Sequence, residues 1–582
     1  MLEKLGIEKF RDWQFVLLVV VLVSLFNWNK AYHIDDTFHL EAAAHLRSNP
    51  AKSMSAEINW GDTPTPMYHH NQPPLYFYLL ALVSRLFGED EQVLHLVTLG
   101  FVWMGLHFFW YLMTELEVRR KRFLLVLLAF CPAFIVNQNL MVDIPLLAMM
   151  LGCIYFLIRY RKTDQGKNLL WSGLLLGAGV LTKYTLIPLI PCFFLLAWWW
   201  RKPKVLIGAL IPIVLLLLWS WWNWIEFGAI HLFGRSRSNF NWDAPLSFII
   251  ALGAISSFLP AMLNGFFGWR WLRWVSYVLS GLFVLLVFAF GMDWIDERVT
   301  TPILIGCYAL AGGIICLLLI GIVTLKLREK RLLFLRTGEM ALLLPLAALS
   351  SFLILYAPFQ ATRHILLLLP FILLISHHLL DRLNSGIRNL SVGITLVLGT
   401  WLGISDWFYA DYYRQMAREM YPMQTEQRVF SAGHWGWQWY SRKEGMKTYA
   451  LNESILVRGD YLIHPDDVAQ QRLNDTLELE LKAQCWHEAS WTTWFSGKDY
   501  ASMYNSYSDR PPWVLSKKPI DTIRIFRLEH GGESKEVMIQ KLMERIRKDE
   551  QWMEAEKKKA KSQGEKLERV LREDAEWLFW EQ

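Results

Sequence analysis

The chain has 582 residues, of which 54% are hydrophobic and 19% charged, with 30 Trp and a mean hydropathy of +0.23. Repeated apolar runs of 17 or more residues exclude a soluble multidomain protein and indicate a polytopic membrane protein. The net charge of +6 does not indicate a nucleic-acid binder, because the Lys and Arg sit in short loops between apolar runs, where they act as orientation signals. Five of the six Cys (Cys131, Cys153, Cys192, Cys307, Cys316) lie in apolar segments, which excludes a disulfide scaffold.

The first apolar run, about 13–28, follows Lys4, Lys9 and Arg11 and reads as an uncleaved span running from inside to outside. A polar stretch to about residue 92 follows. Its apolar piece 73–87 is short for a span and is expected to lie along the membrane surface. Twelve further runs lie near 93–113, 123–140, 144–158, 169–182, 185–200, 205–222, 246–265, 275–291, 303–325, 340–356, 365–380 and 390–409, giving about thirteen transmembrane helices over 1–409. Treating 73–87 as a full span would put the Arg119-Arg120-Lys121-Arg122 block outside, against the positive-inside rule.

After the last span, residues 410–530 alternate short β-like pieces (Gln427–Ser431, Ser454–Val457, Thr522–Leu528) with helical ones, as in a small extramembrane α/β domain. Residues 531–582 form a charged tail with Met538, Leu542 and Ile546 at helical spacing and Gly564 as an interruption. This pattern predicts a helical hairpin standing in solvent as an appendage.

Ionisable groups beside apolar segments are costly, so those in the outer loops are the functional candidates. Asp35 and Asp36 open an amphipathic helix after the first span, with helix capping as the alternative reading. Asp143 begins a helix before Pro145 and has the same alternative. The outward cations are Lys183, Arg363 (followed by His364), Arg298, Arg235 and Arg237. They suit a phosphate, to which Arg makes bidentate bonds. His69, His70, Gln72 and Tyr184 are candidates for holding donor or acceptor. Metal binding is weighed and not expected: His33, Asp35, His39, His69 and His70 share a loop but lack a recognised ligand spacing, and no cofactor is required.

The order of Asp35-Asp36, then Gln72-Pro73-Pro74-Leu75-Tyr76, Asp143, Leu181-Thr182-Lys183 and Arg363-His364 with Pro370 resembles the GT-C glycosyltransferase superfamily. Within it, the chain is most similar to the branch of protein O-mannosyltransferases and lipid A aminoarabinose transferases. The likeness covers roughly residues 10–410. It implies thirteen spans, a polyprenyl-phosphate-linked sugar donor, a lipid, glycan or protein acceptor, and an acid at the Asp35 position as catalytic base. The aminoarabinose transferases carry Lys where this chain has Gln72, so Lys183, Arg363 or another Arg would take over the donor phosphate. The Trp-Trp-Asp-Tyr-Gly signature of oligosaccharyltransferases is absent.

The expectation is therefore an inverting membrane glycosyltransferase with Asp35 as general base and Asp36 or Asp143 tuning it. It would be multi-pass in the bacterial inner membrane, surrounded by membrane lipids, with its site and C-terminal domain on the periplasmic face. The alternative is a polytopic transporter of a lipid-linked or anionic substrate, which would place its ionisable residues nearer the bilayer midplane.

Overall fold

The computed structural model describes residues 11–70, 72–234, 241–420, 427–451, 454, 456–494, 503–530 and 535–581. The chain divides into two compact units. One is Met1–Ile58, Pro66–Asp411 and Glu488–Ile520; the other is Asn59–Thr65, Tyr412–His487 and Asp521–Gln582.

The first unit is helical. It runs α1 (Asp12–Ser24), α2 (Asp36–Ser48), α3 (Leu75–Phe87), α4 (Glu91–Glu115), α5 (Lys121–Ala129), α6 (Pro132–Val136), α7 (Asp143–Thr163), α8 (Gly166–Thr182), α9 (Leu189–Trp199) and α10 (Val205–Phe227). It continues with α11 (His231–Gly234), α12 (Asp243–Ala254), α13 (Leu259–Phe267), α14 (Arg270–Gly291), α15 (Glu297–Lys330) and α16 (Met340–Tyr356). The last helices are α17 (Thr362–Leu366), α18 (Leu369–Ile375), α19 (His377–Leu380) and α20 (Ser385–Met420).

Among the described residues six helices (α4, α7, α10, α14, α15 and α20, the last taken over its whole length) are long and apolar enough to cross a membrane. The pair α12–α13, bent by 92°, makes seven if it is one span. Several of the thirteen apolar runs are not single long helices. The run 123–140 breaks before Pro132 and the run 365–380 breaks around Pro370, because proline lacks the N–H that a continuing helix needs. Leu210, Val214, Leu217 and Trp221 on α10, and Trp274, Val278, Leu282 and Leu285 on α14, face outward. Such broad apolar faces belong in lipid. α7 is instead nearly all buried and forms the centre of the unit. α12 and α15 meet backbone to backbone: a Cβ at Gly253 would stand 1.9 Å from the Tyr308 carbonyl oxygen, so only glycine fits there.

The second unit is the small α/β domain. Its strands are β1 (Val429–Ser431), β2 (Lys447–Thr448), β3 (Tyr461–Pro465), β4 (Glu478–Cys485) and β5 (Ile523–His530), in the order β2-β1-β3-β5-β4. β1 is parallel to β2 and β3, while β5 is antiparallel to β3 and β4. α21 (Trp435–Lys443) connects β1 to β2.

Two boundary expectations need correction. Glu488–Ile520 belongs to the helical unit, not to the α/β domain, because Trp513 and Tyr504 are buried there; the Trp513 Nε1–H donates to the Ala254 carbonyl at 2.8 Å. The tail is three helices, α22 (Lys535–Lys548), α23 (Glu550–Gln563) and α24 (Leu567–Glu581), rather than a hairpin appendage. Met538, Leu542 and Ile546 are buried with Leu571, Ala575, Phe579 and the domain's own Val457. Arg428 beside β1 ties the tail down, stacking over the Phe579 ring at 3.9 Å and donating to the Phe579 carbonyl at 3.2 Å.

Candidate active site

Between α1 and α2 the backbone is strained. Ile34 has φ +50°, a left-handed conformation that costs a β-branched residue free energy and tends to mark functional turns. The turn separates the two neighbouring acids. Asp36 is buried and folds back to accept the His33 backbone N–H at 2.9 Å. Burial raises its pKa to about 8, so its carboxyl is largely neutral at pH 7. Asp35 makes no capping bond; its carboxylate accepts from Arg363 Nη1 at 2.6 Å and keeps 22% of its side chain exposed. Capping therefore does not explain Asp35, whereas a local turn-closing role does explain Asp36.

Asp143 is the first residue of α7, 1% exposed, and accepts from Lys183 Nζ at 3.0 Å. Lys183 ends α8, and Arg363 sits on the short α17 with Nη1 also 3.0 Å from Met141 Sδ. Arg363 is within electrostatic reach of both Asp35 and Asp143, and His364 lies beside Asp143. The structure thus gathers Asp35, Asp143, Lys183, Arg363 and His364 into one cluster of two acid–cation pairs.

Histidines flank this cluster. His39 Nδ1 is 3.0 Å from the Leu140 carbonyl, and Nε2 is 3.2 Å from the Gln72 side-chain amide. Burial lowers the His39 pKa to about 4, so the ring is neutral. Both ring nitrogens face acceptor oxygens, the Leu140 carbonyl and Gln72 Oε1, and a neutral ring can donate to one of them. A second chain has consistent directions throughout: the Trp219 Nε1–H donates to Tyr184 Oη at 3.0 Å, the Tyr184 hydroxyl donates to His231 Nδ1 at 2.9 Å, and His231 Nε2–H donates to the His70 carbonyl at 2.6 Å. It holds the residue after Lys183 against the 67–70 turn. His69 is exposed, and Arg298 stands exposed at the start of α15 with no ion pair to the cluster. Arg235 and Arg237 lie outside the described residues.

The sequence reading missed a sealed network behind the Asp35 turn. Lys30 Nζ donates to the Asp406 carboxylate, to Asn139 Oδ1 at 2.5 Å and to the Val136 carbonyl at 3.2 Å, and lies 3.5 Å from Tyr504 Oη. Lys30 and Asp406 are both 0% exposed. Asp406 was detectable as an acid inside the run 390–409, where a charge marks a function or a partner. Among the described residues no group of three His, Cys, Asp or Glu is arranged to hold a metal ion.

The fold and site define a polytopic helical membrane protein with two acid–cation pairs gathered at helix ends. Residues 71–222, which include Gln72, Asp143 and Lys183, match the family described as dolichyl-phosphate-mannose-protein mannosyltransferase. No curated protein sequence matches. Similar solved structures include ArnT from Cupriavidus metallidurans bound to undecaprenyl phosphate, at 12% identity over 78% of this chain and 92% of that one, with TM-score 0.44. The archaeal oligosaccharyltransferase AglB from Archaeoglobus fulgidus, in complex with an inhibitory peptide and a dolichol-phosphate, is 10% identical over 78% and 69%, with TM-score 0.46. The S. cerevisiae protein O-mannosyltransferase complex bound to the sugar donor is 14% identical over 42% and 37%, with TM-score 0.29.

Proposed function

We propose that the protein transfers a sugar from a polyprenyl-phosphate donor to a hydroxyl or amine of a lipid, glycan or protein acceptor, with inversion, on the periplasmic face of a bacterial inner membrane. The family description, which names a dolichyl-phosphate donor, supports the donor class. The distribution of Lys and Arg between the loops supports the orientation. The observation that carries the reading is the pairing of partly exposed Asp35 with Arg363 beside the Asp143–Lys183 pair.

In the absence of donor each cation neutralises a carboxylate. A donor phosphate competes for Arg363 and Lys183 through charge-assisted bonds and frees Asp35. The acceptor oxygen or nitrogen then attacks the anomeric carbon from the face opposite the phosphate. The carbon–oxygen bond to phosphate breaks, Asp35 takes the acceptor's proton, and the polyprenyl phosphate leaves with its charge held by Arg363 and Lys183. Asp143, almost wholly buried, orients Lys183 rather than meeting the acceptor.

The test is mass spectrometry of membrane lipids and envelope glycans from the native host, with wild-type protein compared to Asp35→Asn at equal expression. Accumulation of a polyprenyl-phosphate sugar, with loss of the matching mass from one lipid or glycan, is expected. Identical profiles would sink the reading and leave transport of a lipid-linked or anionic substrate as the one to test.

A further inference from the structure

Lys30 lies five residues before Asp35, and Asn139 four before Asp143. The loops carrying both acids therefore meet at the sealed network. Asp406 contributes to it from α20, and Tyr504 from the segment 503–506. Tyr504 Oη lies 2.8 and 2.9 Å from the two Asp406 carboxylate oxygens, and it accepts from Asn139 Nδ2 at 3.0 Å. The same segment braces Arg363 by its backbone. Gln360 and Ser506 exchange N–H to carbonyl bonds at 3.3 and 2.7 Å, and the Met503 carbonyl accepts from the Thr362 N–H and hydroxyl at 3.1 and 3.0 Å. Thr362 Oγ1 in turn accepts from Asn137 Nδ2 at 2.9 Å, on the loop leading to Asp143. The rings of Tyr504 and Tyr409 also enclose buried His33, at 5.2 and 4.5 Å between centroids, directly before the strained Ile34.

Segment 503–506 thus touches the Asp35 turn, the Asp143 loop and the Arg363 helix, although it lies some 140 residues beyond Arg363 in sequence and is entered from the α/β sheet between β4 and β5. Tyr504 is also within electrostatic reach of Arg363. We propose that Tyr504 is a positioning residue: through Lys30, Asp406 and Asn139 it holds Asp35 and Arg363 at the separation from which a donor phosphate can part them. The inference rests on the function proposed above. A phenol suits the task because its fixed ring sets the hydroxyl position while the hydroxyl both donates to a carboxylate and accepts from an amide.

Tyr504→Phe removes the hydroxyl and keeps the shape, so the full-length variant in lipid nanodiscs tests the idea. Hydrogen exchange is expected to quicken about tenfold, the effect of losing a buried bond to a charged group, in two separated segments together, 33–39 and 361–366. Exchange in α22 and α8 should stay unchanged. With the substrates named by the lipid and glycan profiles, kcat should fall about tenfold while KM for the donor stays within about twofold. Unchanged exchange in both segments overturns the proposal, as does a uniform rise across all helices, which would mean general loosening. A normal kcat with altered exchange also overturns it, leaving the transferase reading intact. If Tyr504→Phe alters exchange but Asp35→Asn leaves the lipid profile unchanged, the transferase reading fails, and with it the assignment of Tyr504 to catalytic positioning.

Discussion

Two of the acid–cation pairs in the helical unit stand in opposite settings. Lys30–Asp406 is 0% exposed on both sides, and the ammonium has the Asp406 carboxylate, Asn139 and the Val136 carbonyl as acceptors, with Tyr504 Oη 3.5 Å away. Asp35–Arg363 keeps 22% and 8% of its side chains exposed, and Asp35 accepts no capping bond from α2. A sealed pair has no route by which another anion can replace the carboxylate, and each ion, once desolvated, depends on its partner. A pair at the edge of solvent can exchange partners, because an incoming phosphate brings equal or greater charge. Exposure and partner number, not residue type, separate the sealed pair from the pair proposed to react.

Single substitutions break this comparison most sharply. Asp35→Asn keeps a hydrogen-bond acceptor for Arg363 but removes the proposed base. Product formation is expected to fall by about 10²- to 10⁴-fold with little change in thermal unfolding. Lys30→Met does the reverse: it leaves Asp406 buried without its cation and should cost about 3–5 kcal/mol of stability. Adding Asp406→Leu removes the uncompensated charge and should return most of that stability, but not the rate, since directional bonds are gone. Denaturation midpoints and product masses for the single and double variants check both claims. A double variant with full activity would show that the network supports only the fold.

The sequence made the open pairs visible and hid the sealed one for a physical reason. Asp35, Asp143, Lys183 and Arg363 stand at helix ends, where charge next to an apolar run is conspicuous. Which cation meets which acid was not legible, because Arg363 lies more than three hundred residues from Asp35. Lys30 ends the first apolar run and passes for an ordinary interface charge; only the long-range partner Asp406 reveals otherwise. Gln72 read as the loss of a phosphate anchor, while the structure makes it the partner of His39. The β-like pieces Gln427–Ser431 and Thr522–Leu528 match β1 and β5 to within two residues at each end, whereas the described residues of the expected piece Ser454–Val457 form no strand. β3 and β4 were not legible, since β4 is mostly exposed and lacks a buried apolar alternation. The tail's helical period was plain, but its burial depends on Arg428 and Val457, which no local pattern announces.

A smaller effect distinguishes Asp36 from Asp35. Asp36 holds its proton to about pH 8 in the folded protein and to about pH 4 when unfolded. The folded state therefore binds more protons between those values, and this contribution to stability falls as pH rises through the window. His39 acts in the opposite sense below its ordinary value near 6.5, because burial keeps it neutral. His33, also held neutral by burial, does the same. Of these three groups only Asp36 still titrates above about pH 7.5, a full unit above the unfolded histidines. Stability should decline there with a slope of about 0.7 kcal/mol per pH unit, the value at half-protonation of Asp36, and Asp36→Asn should flatten it. Thermal unfolding of both proteins across that range gives the answer; equal slopes would place Asp36 in water.

The smallest effect comes from the α/β unit, where the same contrast recurs. Arg428–Asp460 is sealed, at 1% and 4% exposure, whereas Arg472 meets Asp62 at 2.6 Å with 79% of its side chain in solvent. An exposed pair of this kind contributes about 0.2–1 kcal/mol. Asp62 also accepts the backbone N–H of Arg472 at 2.8 Å, and that bond is the first cause of its lowered pKa. Arg472→Ala removes the guanidinium and leaves the backbone bond, so it should shift the unfolding midpoint barely at all, and less still in high salt. Asp62→Ala loses both bonds and should cost about 1 kcal/mol. If the two variants cost the same, the guanidinium, and not the backbone amide, is what holds the 59–65 segment to the domain.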